Sequence, residues 1–216
     1  CFPMRALLVL FSLMLSMSLS AAEKLPVVTS FSILADMVHQ VGGEHVQITN
    51  MVGADADAHT YEPTPDDAKA LLEAKVIIKN GLGFEPWLDR LVTSTDSKAT
   101  VISASRGVIP RSLDEDGETV ADPHAWHNLA NAELYVANIT KALIAADPAN
   151  KADYERNSQT YLKQIYALLA EAKNKLGALP PGNRKIVTSH DAFGYLGQAY
   201  GIDFIAPQGL STEREP

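Results

Sequence analysis

A single cysteine, Cys1, is all the thiol this sequence contains. It lies upstream of an expected leader, so neither a disulfide nor a cysteine–zinc site is available to the mature chain. Basic residues are also scarce. Lys and Arg number 18 against 26 Asp and Glu, for a formal net charge of −8. An acidic surface lacks the basic patches that nucleic acid or an anionic membrane needs, so neither is an expected partner. There is no internal repeat and no low-complexity run. The composition, 46% apolar and 20% charged over 216 residues, is that of a globular chain forming one large domain or two small ones.

The one long apolar run, residues 6–19, is too short for a membrane anchor and lacks a stop-transfer flank. With Met4-Arg5 before it and Ser20-Ala21-Ala22 after it, residues 4–22 read as a secretory signal peptide cut after Ala22. No cysteine stands at the cut, so no lipid anchor is expected after cleavage, and the expected compartment is the periplasm. At the other end, Ser211-Thr212-Glu213-Arg214-Glu215-Pro216 does not read as a completed element, and the sequence is expected to be truncated.

Between these ends, strand and helix patterns alternate. Short β-branched runs at 27–29, 45–52, 75–79 and 100–103 are separated by helical patterns at 32–41, 64–73 and 86–93. Thr64 is placed to cap its helix, with Pro65 at the first helical position and acids in the first turn. This alternation predicts a parallel sheet covered by helices on both faces. Residues 106–120 read as a polar, acidic loop. A helix is expected at 131–146. After the Asp147-Pro148 break comes a second, long one at 150–176, spanning on the order of 40 Å. Strand, helix and strand then resume at 185–189, 193–200 and 203–206, so the long helix reads as a strut joining two lobes.

Three histidines stand apart in the sequence, each near a strand end or in a loop: His59, His124 and His190. In a parallel α/β sheet, ligands bind beyond the carboxyl ends of the strands, so all three can project into one cleft. Taken singly, each is more often structural than a ligand. Together they fit a zinc site, for which neutral imidazole is a preferred donor. His127 either packs over the site with Trp126 or serves as a further ligand. His39 and His45 read as surface residues. Glu62 is placed to orient His59 or join it, Asp122 to brace the His124 turn, and Asp191 to cap the following helix. Asp55 and Asp57 alternate but form no complete calcium loop, and read as polar loop. An organic-solute receptor would need stacking aromatics, and of the two tryptophans Trp87 sits in an ordinary amphipathic pattern. A three-histidine zinc hydrolase is a further alternative, with Glu62 or Asp191 as base.

Four segments carry a resemblance: HTYEPTP from His59, ADPHAW ending at Trp126, TSHDAFGYL around His190, and APQGLSTEREP at 206–216. In this order they resemble the solute-binding receptors of zinc and manganese ABC importers, the TroA-like or ZnuA-like metal-binding proteins. The resemblance implies an α/β fold of two lobes, each a mainly parallel sheet flanked by helices, joined by one long rigid helix. The boundaries it implies are a metal-binding lobe at 24–149, the linker helix at 150–179, and the start of an incomplete second lobe at 183–216. It further implies a non-enzymatic monomer. His59 and His124 from the first lobe and His190 from the second would hold a divalent metal ion, Zn2+ or alternatively Mn2+. The loaded receptor would deliver it to an ABC importer membrane permease. The family's fourth ligand, usually an Asp further along, has no counterpart before the sequence ends. The histidine-rich loop common in its zinc members is absent from 106–120.

Overall fold

The computed structural model describes residues 23–115 and 118–207. The expected leader and most of the 206–216 motif lie outside them. Four strands form the main sheet: β1 (Leu25–Phe31), β2 (Val46–Val52), β3 (Val76–Lys79) and β4 (Thr100–Ser103). They run parallel in the order β2-β1-β3-β4. The two central strands are buried along most of their length; Val27, Val28, Val76, Ile77 and Ile78 are all in the core. Near-continuous apolar runs are what a parallel strand covered on both faces requires.

The covering comes from helices α1 (Ser32–Gly42), α2 (Pro65–Glu73), α3 (Pro86–Thr95), α4 (Ala132–Ala146) and α5 (Lys151–Gly177). Helix α1 turns Leu34, Met37, Val38 and Val41 inward. The spacing is that of one helical face, and each such side chain stabilises the fold by roughly 1.5–3 kcal/mol on full burial. Helix α2 starts as its sequence indicates. Thr64 Oγ1 accepts the Asp67 N–H while the Asp67 carboxylate accepts the Thr64 N–H, a reciprocal cap with Pro65 at the first position.

Helix α5 lies across α1 and α4, with Tyr154, Ser158 and Ile165 buried. Further along, Tyr166 and Leu168 are exposed, and its end reaches a second unit. That unit comprises strands β7 (Lys185–Val187) and β8 (Asp203–Ile205), which pair in parallel, with α6 (Gly194–Tyr200) between them. They are numbered after the β5 and β6 of residues 112–121. Arg184 ties the helix to it, donating to the carbonyls of Gly177 (2.8 Å), Leu179 (3.0 Å) and Tyr200 (2.8 Å). A guanidinium on the last carbonyls also offsets the negative end of the helix dipole.

One expectation is corrected. Residues 106–120 are not simply a loop, because β5 (Ser112–Glu115) and β6 (Glu118–Ala121) pair antiparallel as a hairpin.

Candidate metal centre

Strand order reverses at β1. The chain steps outward from β1 to β2, then returns to place β3 and β4 on the other side. The crevice beyond the carboxyl ends at such a switch point is where open α/β sheets bind ligands. Here it is a cavity of about 520 Å³ walled by Phe31, Phe84, Trp126 and Phe193 and containing His59, His124 and His190.

The three histidines come from separate places. His59 lies in the connection after β2, His124 just beyond the hairpin, and His190 in the turn between β7 and α6. Each offers a ring nitrogen, and these nitrogens all lie within 4.8 Å of one another. His59 Nε2 and His124 Nε2 are 3.1 Å apart. Tetrahedral zinc with nitrogens at ~2.0–2.1 Å would separate its ligands by about 3.3 Å. That pair is already at chelating distance, and the remaining closure falls to His190.

Asp122 orients His124. Its Oδ1 accepts both the His124 backbone N–H and the ring Nδ1–H, each at 2.9 Å. A carboxylate on Nδ1 assigns the proton there and leaves the Nε2 lone pair facing the cavity. Asp122 is itself fully buried. His59 is held by Asp57, whose Oδ1 accepts the His59 backbone N–H at 2.9 Å. Trp87 Nε1 donates to the carbonyl of the preceding Ala58 at 2.9 Å. The sequence suggests neither role: Asp57 reads there as polar loop and Trp87 as part of an amphipathic helix, since a local turn bond and a contact across 29 residues leave no pattern.

Below the histidines lies a buried polar lattice that the sequence reading also missed. The Glu85 carboxylate accepts Ser30 Oγ–H at 2.6 Å, the Asn80 N–H at 2.6 Å and the Gly81 N–H at 3.1 Å. Asn80 in turn donates from Nδ2 to the Pro123 carbonyl at 2.8 Å and accepts from Tyr135 OH at 2.6 Å. The loop wrapped on this carboxylate has positive φ at Gly81 (87°), Leu82 (57°) and Gly83 (81°). Glycine adopts this region freely, whereas leucine does so under strain. The loop ends on Phe84, whose ring centroid is 4.8 Å from that of His59 and 5.9 Å from that of His124. The only signal for it in the sequence is Gly-Leu-Gly with an acid among apolar residues.

The other expected residues fall as follows. His127 lines the cavity outside the three-nitrogen cluster, with its ring against Trp126 (5.4 Å) and Phe193 (4.6 Å). Glu62 is exposed and makes no hydrogen bond to His59. Asp191 does not cap α6; the helix begins at Gly194, and Phe193, two residues beyond Asp191, holds the cap position without a side-chain bond. His45 is not a free surface residue, since its Nε2 meets Asp153 Oδ2 at 2.7 Å and ties the turn before β2 to α5.

Burial, and then the neighbouring His124, lowers His59 from 6.5 to about 4. Burial likewise lowers His127 to about 4, and lowers His190. Neutral rings are the form that ligates a metal. An unfolded chain protonates His59 near 6.5 but the folded chain only near 4, so its stabilisation is complete above 6.5 and lost as pH falls toward 4. Urea melts of metal-free protein between pH 7.5 and 4.5 should show falling stability, with a shallower slope in His59→Gln. Equal slopes would contradict the buried neutral ring.

Two sheet-bearing lobes and a single long helix between them define the structural class. The chain belongs to the family described as ZnuA, zinc-uptake complex component A, periplasmic, whose pattern matches residues 27–216. The manganese ABC transporter substrate-binding lipoprotein PsaA of Streptococcus pneumoniae is 37% identical over 205 residues, covering 92% of this chain and 66% of its own length. The iron-binding protein YfeA of Yersinia pestis is 34% identical over 196 residues, covering 90% of this chain and 62% of its own. The chain thus spans slightly under two thirds of these curated relatives. Among solved structures, a manganese-bound periplasmic metal binding protein from Candidatus Liberibacter asiaticus superposes with a TM-score of 0.79 at 32% identity. That match covers 90% of this chain and 72% of the other.

Proposed function

We propose that this protein captures a divalent transition-metal ion outside the cytoplasm and delivers it to the permease of an ABC importer. The observation that carries the reading is the convergence of three ring nitrogens, from separate segments, within 4.8 Å. His59, His124 and His190 are the proposed ligands, Asp122 and Asp57 hold two of them in place, and His127 flanks them. The ion would sit between a lobe at 24–149 and the lobe beginning at 183, with 150–179 as the link. The protein acts as a monomeric carrier and not as a hydrolase. Among the described residues, no helix is long and apolar enough to cross a membrane.

Zinc is the first reading of the metal, because three imidazole donors suit zinc over manganese and the affinity order runs the same way. Manganese is the second, supported by the manganese named in PsaA and in the solved neighbour. The test is elemental analysis of protein purified without added metal, followed by competitive titration of Zn2+ against Mn2+. Zinc should win by tenfold or more, as a rough expectation from the donor chemistry. His190→Glu should narrow that preference toward manganese by adding a carboxylate oxygen. One-to-one binding of neither ion would overturn the function, and an unaltered Zn2+/Mn2+ ratio in His190→Glu would remove His190 from the ligand set.

A further inference from the structure

Beside the three histidines runs a network that spans the two lobes. Arg111 precedes β5 and Asp122 follows β6. They close the base of the hairpin through the Asp122 N–H donating to the Arg111 carbonyl at 2.9 Å. Arg111 Nη1 also donates to Asp122 Oδ2 at 2.5 Å, while Oδ1 of the same carboxylate holds His124. From the second lobe, Tyr195 of α6 inserts its hydroxyl into this base. It accepts the Arg111 backbone N–H at 3.0 Å and donates to the Asp122 carbonyl at 2.9 Å. The guanidinium lies over the Tyr195 ring, 5.6 Å from its centroid. It also occupies the space a side chain would need at Gly194, the first residue of α6, where a β-carbon would overlap Arg111 Nη1.

We propose that Arg111 is a positioning residue through which α6 of the second lobe sets the His124 ring, so that metal affinity depends on the seating of α6 against the hairpin. The proposal rests on the reading of His124 as a ligand. The terminal torsion of an aspartate is broad, so a carboxylate pinned at one oxygen leaves its partner ring loosely aimed. With a charge-assisted bond to Arg111 on one oxygen and His124 on the other, the carboxylate plane is fixed and the Nε2 lone pair keeps its direction. Gly194 and Tyr195 are what hold the guanidinium in that place. Displacing α6 therefore loosens His124, and by reciprocity a bound ion favours the seated position of α6. Release of the ion then follows from a movement of the second lobe, which unseats α6 and loosens the support behind the His124 ring.

Gly194→Ala isolates this link, because it alters neither Asp122 nor a histidine, and the atoms nearest its new methyl group are those of the movable end of Arg111. Zn2+ affinity is measured by chelator competition, release by stopped flow, and His124 ring 15N shifts in the metal-free protein. Gly194→Ala should weaken Zn2+ by about tenfold, the lower range for loss of a group supporting a ligand. Release should quicken, and the His124 shifts should move from the Nδ1–H tautomer toward an average of the two. Arg111→Gln should reproduce the loss and Arg111→Lys recover part of it, the lysine also serving should the glutamine variant fail to fold. Adding Gly194→Ala to Arg111→Gln should cost nothing more, since both act through one guanidinium. Unchanged affinity and shifts in Gly194→Ala, or additive losses in the double variant, would overturn the proposal. Failure of the unaltered chain to bind Zn2+ or Mn2+ would instead sink the metal-receptor reading beneath it.

Discussion

His124→Ala will bind Zn2+ more than about a hundredfold more weakly than the unaltered chain. Loss of a group that merely supports a ligand costs 10–100-fold, and removing the ligand must exceed that range. His124 is singled out among the three because it is the most buried and the most constrained. It is 1% exposed, its Nδ1–H is committed to Asp122, and its Nε2 stands 3.1 Å from that of His59. The substitution also leaves the buried Asp122 with Arg111 as its remaining side-chain partner, so the fold should loosen locally around the hairpin base. Isothermal titration with Zn2+, checked against thermal melting of the metal-free variant, separates the two effects. Near-normal affinity in a folded variant would show that the cluster does not hold the ion.

Glu85→Ala will destabilise the metal-free protein by about 3–5 kcal/mol. Three buried donors, from Ser30, Asn80 and Gly81, lose their acceptor at once. Each unsatisfied buried donor costs roughly 1–3 kcal/mol, with partial relief if water enters. The strained turn at 81–83 then loses the carboxylate that it wraps, and Phe84 loses its fixed place against His59 and His124. Burial pushes the Glu85 carboxyl up, while hydrogen bonds from Ser30 and the two amides pull it down. Glu85→Gln should therefore be worse than its shape suggests, because its NH2 must face one of these donors. Denaturant melts of both variants decide the matter. A loss under about 1 kcal/mol in Glu85→Ala would mean the lattice carries little of the stability.

The parts of the fold that were legible are those whose cause is local. The cap at Thr64 and the apolar face of α1 each depend on residues within a turn or two of one another. The parallel sheet was legible because strand and helix patterns alternate along the first hundred residues, and a helix between two strands is the crossover that parallel pairing needs. The hairpin of β5 and β6 was read as loop because its acids outweigh Leu113 and Val120. Yet the sequence holds Asp116-Gly117 between the two segments, a pair that hairpin turns favour. Glu62 is suggested by its closeness in sequence to His59, and Asp191 by its place just before a helix. Closeness in sequence does not fix which way a loop side chain points: Glu62 makes no hydrogen bond to His59, and Asp191 does not cap α6.

From its order of residues alone, the chain determines an α/β architecture, the long helix, and three histidines at positions where strands end. Those follow from periodicity and from short-range backbone chemistry. Only the tertiary structure decides that the three rings meet, that Asp57 and Asp122 are the carboxylates beside them, and that Glu85 and Arg111 stand behind the site. Each of these contacts is made by closing a loop or crossing from one lobe to the other. Burial makes an unpaired charged or polar group costly, so these groups must find partners in space, and no window of neighbouring residues contains that requirement.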